Sequence, residues 1–250
     1  MLSQTKTADT TQTTLTEQLP NGVTLTWSGA QFRPGTDSMV LADFAVPGKN
    51  ARVCDLGCGC GTLSLLLLAA HPNIRLTGVE IQPDAAAMAR ENAAQAALSG
   101  RFTVVEGDLR EPSLLRAGAF DCAVSNPPYY PLASGYPAQS AALRAARTEE
   151  HCSLFELCRA AARLVRTGGR FFLVHKPERL TDLFCCLREA SLEPKRLRLV
   201  RHRADAAANL VLLEAVRGGR PGLRLAPDLI LYTPGGALTP DGRRIYHQED

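Results

Sequence analysis

From residue 51 onward, short β-branched runs alternate with longer alanine- and leucine-rich stretches, the pattern of a parallel sheet covered by helices on both faces. The apolar runs predict strands at Arg52–Asp55, Ile74–Glu80, Phe102–Glu106, Phe120–Ser125 and Gly169–His175. Between and after them, helices are expected over 61–70, 83–98, 153–166 and 178–190. Pro83 suits a first helical turn, where an N–H would have no partner, and Gly168-Gly169 offers a positive-φ stop. Beyond Ser191 the alternation changes. Lys195–Arg203 and Asn209–Val216 read as two strands joined by the polar Ala204–Ala208, too short for a crossover, so they form an antiparallel pair.

Upstream, Leu15–Leu19 and Val23–Trp27 flank Pro20-Asn21-Gly22, whose Asn-Gly pair signals a hairpin. Near the other end, Leu229–Thr233 and Ala237–Thr239 flank Pro234-Gly235-Gly236, a second, smaller hairpin. The expected organisation is a disordered tail over 1–14, a hairpin and one helix over 15–50, an α/β domain over 51–218 and an extension with a short hairpin over 219–250.

Composition narrows the class. With 250 residues, 45% hydrophobic and 21% charged, the chain has the makings of one ordinary globular domain and is neither disordered nor fibrous. Its longest apolar run, Leu63 to Ala70 broken by Ser64, falls far short of the ~18 residues a membrane span needs. Residues 1–14 are polar and threonine-rich and lack the apolar core of a secretion signal, so a cytoplasmic protein without membrane contact is expected. The eight cysteines fall largely inside hydrophobic segments and are expected as reduced thiols. Cys58-Gly59-Cys60 and His151-Cys152 lack a second pair at zinc-site spacing, so no metal is expected.

Charge changes the picture more. The net value is only +3, yet residues 195–224 carry eight basic side chains against two acidic ones, an excess of +6. Lys195, Arg196, Arg198, Arg201 and Arg203 therefore stand as candidate nucleic-acid contacts, with a structural role on a strand face as the alternative.

The chemistry concentrates where strands end. Val53-Cys54-Asp55-Leu56-Gly57-Cys58-Gly59-Cys60-Gly61 is a strand running through three glycines into a helix, as at the first crossover of nucleotide-binding sheets. Glu80, followed by Ile81, ends the next strand, where a carboxylate can accept both hydroxyls of a ribose; Asp108, followed by Leu109, comes just after the third. Each acid alone could be a cap or a turn residue. Together they line the carboxyl edge of consecutive strands, where such sheets bind ligands. The glycines at 57, 59 and 61 do not make a G-x-G-x-x-G fingerprint, so no pyrophosphate cradle is expected.

A second motif follows the fourth strand: Ser125-Asn126-Pro127-Pro128-Tyr129. Two consecutive prolines remove two backbone donors and leave carbonyls free to accept. A conjugated amino group, such as adenine N6 or a glutamine amide, is a poor nucleophile because its lone pair is delocalised. Accepting its two N–H protons, on the Asn126 side-chain oxygen and the Pro127 carbonyl, favours the pyramidal geometry required for attack on a methyl sulfonium. Tyr129 is positioned to stack on a flat substrate.

The glycine loop and the following acids resemble the class I S-adenosylmethionine-dependent methyltransferases. Asn126-Pro127-Pro128-Tyr129 resembles the signature of members that methylate planar nitrogens in nucleic acids or glutamine side chains. Gly35–Phe44, Ala146–Glu149, Leu173–Leu180, Glu193–Arg198 and Asn209–Pro221 are similar to the bacterial tRNA adenine-N6 methyltransferases that modify valine tRNA beside the anticodon. The resemblance implies a Rossmann-like, seven-stranded, mainly parallel sheet ending in an antiparallel pair, with helices on both faces. It implies S-adenosylmethionine as cofactor and tRNA as partner. It further implies that Asp55, Gly57, Cys58, Gly59 and Gly61 approach the methionine part, Glu80 and Ile81 the ribose, and Asp108 and Leu109 the adenine, with Asn126 at the reacting end. Phe32, Thr36 and Asp37 join as cofactor contacts, and Asn126, Pro127, Pro128 and Tyr129 as catalytic residues. Arg147-Thr148-Glu149 departs from the family's Arg-His-Glu. A protein-glutamine or ribosomal-RNA methyltransferase and a catalytically silent nucleic-acid-binding module remain open alternatives.

Overall fold

The structure is a computed structural model that describes residues 14–19, 22–28, 35–129 and 152–246. Its centre is a sheet whose parallel strands are β3 (Arg52–Leu56), β4 (Arg75–Glu80), β5 (Phe102–Glu106), β6 (Phe120–Ser125) and β7 (Val165–His175). Two long antiparallel strands, β8 (Leu192–Arg201) and β9 (Ala208–Arg217), complete the expected seven. Two further strands, β10 (Arg224–Leu225) and β11 (Leu229–Ile230), pair in parallel with the outer edge of β8. The sheet therefore has nine strands, in the order β10-β8-β9-β7-β6-β3-β4-β5, with β11 also on β8. The seven-strand expectation fell short because two-residue strands carry too few positions to show a period. The order turns back at β3, between β4 and β6, and this reversal opens the crevice used by doubly wound sheets.

The strands read as nearly continuous apolar runs because helices cover both faces. On one face, Val53, Leu76, Val124, Phe172, Val174 and Leu212 pack with α1 (Thr36–Phe44), α2 (Thr62–Ala70) and α3 (Pro83–Gln95). On the other, Cys54, Leu56, Ala123, Phe171, Leu173 and Leu213 pack with α4 (Leu154–Leu164) and α5 (Leu180–Glu189). The two-residue alternation of side chains along each strand divides these sets. Helix α4 starts with a capping box, Ser153 accepting from the Glu156 N–H and the Glu156 carboxylate accepting from the Ser153 N–H. It ends at Leu164, two residues earlier than expected, because Val165 already pairs with Phe120 before a register shift in β6.

The N-terminal hairpin forms as expected from β1 (Thr14–Gln18) and β2 (Thr24–Ser28). Asn92 fastens it to the domain. Fully buried on α3, its side chain bonds the Thr26 N–H at 2.9 Å, the Thr26 carbonyl at 2.8 Å and the Cys60 carbonyl at 2.9 Å. At the other end, the Thr233–Gly236 turn closes with a Tyr232–Leu238 bridge, and a helix the sequence reading did not foresee follows, α6 (Pro240–Ile245). Its start is marked by Thr239, whose hydroxyl accepts from the Gly242 N–H, and by Pro240 in the first turn. All eight cysteines are free thiols. Among the described residues no helix is long and apolar enough to cross a membrane.

Candidate functional site

Strand ends and the loops after them assemble the site. The loop after β3 turns through Gly57 (φ 77°), Gly59 (φ 54°) and Gly61 (φ 91°), left-handed conformations that glycine adopts without a Cβ penalty. A Cβ added to Gly57 or Gly59 would meet nothing within 4 Å, so the backbone there borders open space. Four of the loop amides are nevertheless occupied by the fold. Gly57 and Cys58 both donate to the Val79 carbonyl, at 2.9 and 3.0 Å, and Gly61 donates to Cys58.

Glu80, 5% exposed, sits beneath this loop. One carboxylate oxygen accepts from the Gly59 N–H at 2.8 Å and the other from the Gln82 N–H at 2.9 Å. Two backbone donors thus fix the direction of a group with about four acceptor positions. Ile81 beside it is half-buried. The Gly107 N–H donates to the Glu80 carbonyl at 2.9 Å and ties the end of β5 to that of β4, which brings Asp108 alongside. The Asp108 carboxylate receives the Arg110 guanidinium at 2.6–3.0 Å, and the carbonyl of Leu109 accepts from Arg163 at 3.1 Å.

Asp55 has a different place from the one expected. It is buried and accepts from the Ser64 hydroxyl of α2 at 2.7 Å, bracing the glycine loop from behind. Burial, opposed by the Ser64 hydrogen bond and reinforced by the charge of Glu80, pushes its carboxyl up to about 7. Cys58 is buried as well, and desolvation holds its thiol well above the ordinary range, so it fills space rather than reacting.

Asn126 and Tyr129 follow β6 on the same edge. The Asn126 amide lies 3.1 Å from the Ser38 hydroxyl, and the Tyr129 hydroxyl lies 2.8 Å from the Asn126 side-chain oxygen and 2.5 Å from the Asp37 carboxylate. Helix α1 thus reaches the Asn126–Tyr129 loop through two consecutive side chains. Thr36, expected beside the cofactor, has its hydroxyl 2.9 Å from that of Tyr246. Phe32, Tyr130 and Arg147-Thr148-Glu149 lie outside the described residues.

The sequence reading gave no role to the residues that support Tyr129 from β7. The His175 ring lies 5.1 Å from the tyrosine ring, the Lys176 amine lies 5.2 Å over its face, and Arg179 donates to the Tyr129 carbonyl at 3.1 Å. His175 is buried, and desolvation and the nearby Arg179 lower its pKa to about 4. Its Nδ1 accepts from the Lys176 N–H at 2.9 Å, so the proton resides on Nε2, which has no hydrogen-bond partner among the described residues. The signal was available: His175 is the last residue of a central strand, and Lys176 and Arg179 come in the segment just after it.

The basic run has another fate. Arg196 bonds Glu214 at 2.8 Å and the Phe44 carbonyl at 2.9 Å and lies over the Phe44 ring. Arg198 bonds Asp241 and the Pro227 carbonyl, and Arg201 bonds Asp228 and the Ala206 carbonyl. Lys195 donates to the Arg220 carbonyl and Arg203 pairs with Asp205. These contacts answer to the structural role held as the alternative: three of these arginines fasten the C-terminal extension and β9 to β8. The sequence could not show this because their acceptors lie up to 152 positions away.

A doubly wound sheet with a glycine loop and an acidic second strand end at its switch point, and an Asn-Pro-Pro-Tyr loop one strand over, defines a class I methyltransferase. The chain belongs to the methyltransferase small domain family, whose model matches residues 26–182. It is 34% identical over 228 residues to the tRNA1(Val) (adenine(37)-N6)-methyltransferase of Porphyromonas gingivalis strain ATCC 33277, a match covering 87% of this chain and 88% of that one. The protein of the same name from strain W83 is 35% identical over 163 residues, with 62% of this chain and 63% of that one covered. Among solved structures, a predicted O-methyltransferase of Agrobacterium tumefaciens superposes with a TM-score of 0.70 at 22% identity, covering 84% of this chain and 95% of that one, which bears on the fold alone.

The site fits S-adenosylmethionine on its own geometry. Open space faces Gly57 and Gly59, and Glu80 beside it presents a carboxylate oriented by two backbone donors, a group able to accept the hydroxyls of a ribose.

Proposed function

We propose that this protein transfers a methyl group from S-adenosylmethionine to the exocyclic N6 of an adenine in tRNA, the anticodon-loop adenine of a valine tRNA. The observation that carries this reading is the Asn126–Tyr129 loop at the carboxyl edge, one strand from the glycine loop and two from Glu80. The names of the relatives support the substrate.

The cofactor supplies a methyl group already activated on a sulfonium. What remains for the protein is to align nitrogen, methyl carbon and sulfur and to raise the nucleophilicity of a delocalised amine. With the cofactor bound, the nitrogen lone pair would form the N–C bond as the C–S pair is left on sulfur, and the nitrogen would then give up one proton to water. Asn126 and the Pro127 carbonyl accept the two amine N–H groups, drawing the nitrogen toward pyramidal geometry. Pro127 and Pro128 contribute no backbone N–H that would compete for those acceptors. The base must leave its stack to reach this loop, and the Tyr129 ring replaces part of the lost stacking.

Incubation with methyl-labelled S-adenosylmethionine and total bacterial tRNA, followed by nucleoside analysis, should place the label in N6-methyladenosine. Label in a protein glutamine or in ribosomal RNA instead would overturn the proposed substrate. In the same assay Asn126→Ala should lower turnover by about 10²–10³, the scale for one preorganised polar group, and leave cofactor affinity unchanged.

A further inference from the structure

Resting on that reading, one question concerns what Asp37 does from the first turn of α1. The Tyr129 hydroxyl has a single proton and, among the described residues, two acceptors within reach, the Asp37 carboxylate at 2.5 Å and the Asn126 side-chain oxygen at 2.8 Å. A charged acceptor at the shorter distance takes the proton. The remaining 2.8 Å contact would then set two oxygen lone pairs against each other. A half-turn of the Asn126 amide relieves this: its NH2 donates to the Tyr129 oxygen, and its carbonyl turns to the Ser38 hydroxyl, a rotor able to donate or accept across the 3.1 Å contact.

In this arrangement each group donates toward the carboxylate, Asn126 to Tyr129 and Tyr129 to Asp37. We infer that Asp37, acting through the Tyr129 hydroxyl, fixes the orientation of the Asn126 amide so that its carbonyl is the accepting end of the chain, and that Asp37 and Ser38 are positioning residues for the methyl acceptor rather than contacts of the cofactor. Hydrogen bonds in series polarise one another, so a carboxylate at the far end makes the Asn126 oxygen a stronger acceptor for the amine N–H. Methyl transfer moves positive charge from sulfur to nitrogen, and a negative charge reached through three hydrogen bonds from the nitrogen favours that movement. Asparagine at position 37 keeps the shape but removes the charge and lets the chain run in either direction.

The test pairs kinetics with a readout that needs no substrate. In Asp37→Asn, turnover on tRNA should fall about ten- to a hundredfold, less than for a group touching the amine, with KM for tRNA and Kd for S-adenosylmethionine within about twofold of wild type. The double variant with Tyr129→Phe should be no slower than Tyr129→Phe alone, because both changes cut the same chain. With selectively 15N-labelled asparagine, the Asn126 side-chain amide signals, assigned through Asn126→Ala, should shift in Asp37→Asn and in Tyr129→Phe. A weakened cofactor Kd with losses that multiply would overturn the inference and make Asp37 a cofactor contact. A lowered melting temperature with unchanged turnover would overturn it in favour of a structural role. If the wild type fails to methylate any tRNA, the functional reading falls, and the amide signals still decide the chain: unmoved signals overturn it. Should Asp37→Asn not fold, Ser38→Ala, which removes the other amide partner, must shift the same signals and slow turnover.

Discussion

Because Glu80 accepts hydrogen bonds from Gly59 and Gln82, alanine at this position would strand two amide donors beneath the glycine loop as well as remove the ribose acceptor. Glu80→Gln disturbs the loop less, since it keeps one of the two acceptor oxygens while removing the charge. Calorimetry should show cofactor binding weakened by about 1.5–3 kcal/mol, the range for hydrogen bonds to a charged group, in a protein that still folds. Unchanged affinity would move the ribose elsewhere. Asp55 supplies a pH test at the same scale. Burial and the charge of Glu80 raise its folded pKa to about 7, against the Ser64 hydrogen bond, while an unfolded aspartate titrates near ~3.9. The folded state therefore holds a proton that the unfolded state has released, and stability is lost as pH rises from about 4 through about 7. At one pKa unit per ~1.4 kcal/mol, the loss is on the order of a few kcal/mol above neutrality. Asp55→Asn cannot ionise, so its melting temperature relative to wild type should rise by several degrees between pH 5.5 and 8.5. A difference independent of pH would show Asp55 already charged in the folded protein. The strand-end positions of Glu80, Asp108 and Asn126 were legible in the sequence because strand-end punctuation is local. The contact of Asp37 with Tyr129 spans 92 positions and depends on how α1 packs across the switch point, which no local pattern encodes.

At the scale of elements, the five parallel strands and the β8–β9 pair were readable, since each carries enough apolar positions to show its period. Strand ends matched within a few residues except where a tertiary bond decided them, as at Val165. The C-terminal extension was read least well, because two-residue strands and a six-residue helix lack a period, although Thr239-Pro240 is a recognisable helix start. Its place gives it a purpose. Helix α6 lies against α1: Tyr246 meets Thr36 at 2.9 Å, Arg244 grips Asp43 at 2.9 and 3.0 Å, and Ile245 is buried in the core shared with α1. The extension braces the helix that presents Asp37 and Ser38 to the acceptor loop. Tyr246→Phe combined with Arg244→Ala removes one half-buried hydrogen bond and the two ion pairs of Arg244 with Asp43 and Asp241, together about 1–3 kcal/mol. The melting temperature should fall by a few degrees, and turnover should fall more than cofactor affinity, since Glu80 and the glycine loop rest on β3 and β4 instead. Equal loss in both would mean that α1 serves the cofactor as much as the acceptor.

For the whole molecule, the charge distribution asks where a polyanion docks, and total charge cannot answer it. The +6 excess of residues 195–224 looked like a phosphate surface. Yet Arg196, Arg198 and Arg201 are committed to Glu214, Asp241 and Asp228 and to backbone carbonyls, and an arginine that holds the fold has little left for a phosphate. Cationic groups also stand at the mouth of the site. Lys176 lies over the Tyr129 ring and touches the Asn209 carbonyl at only 3.3 Å, a bond it can exchange for a phosphate without opening the sheet. A base held against Tyr129 brings its own phosphate to this edge of the molecule. Each phosphate neutralised on a single strand adds about 0.7 to the dependence of log affinity on log salt. Lys176→Gln should therefore weaken tRNA binding and flatten that slope by about 0.7, with the melting temperature unchanged. Arg198→Gln, which cuts the tie between β8 and α6, should do the reverse and lower the melting temperature while leaving the slope alone. Titrations of tRNA at several salt concentrations with both variants decide the matter, and a slope that moves with Arg198 but not with Lys176 would place the RNA along β8 after all.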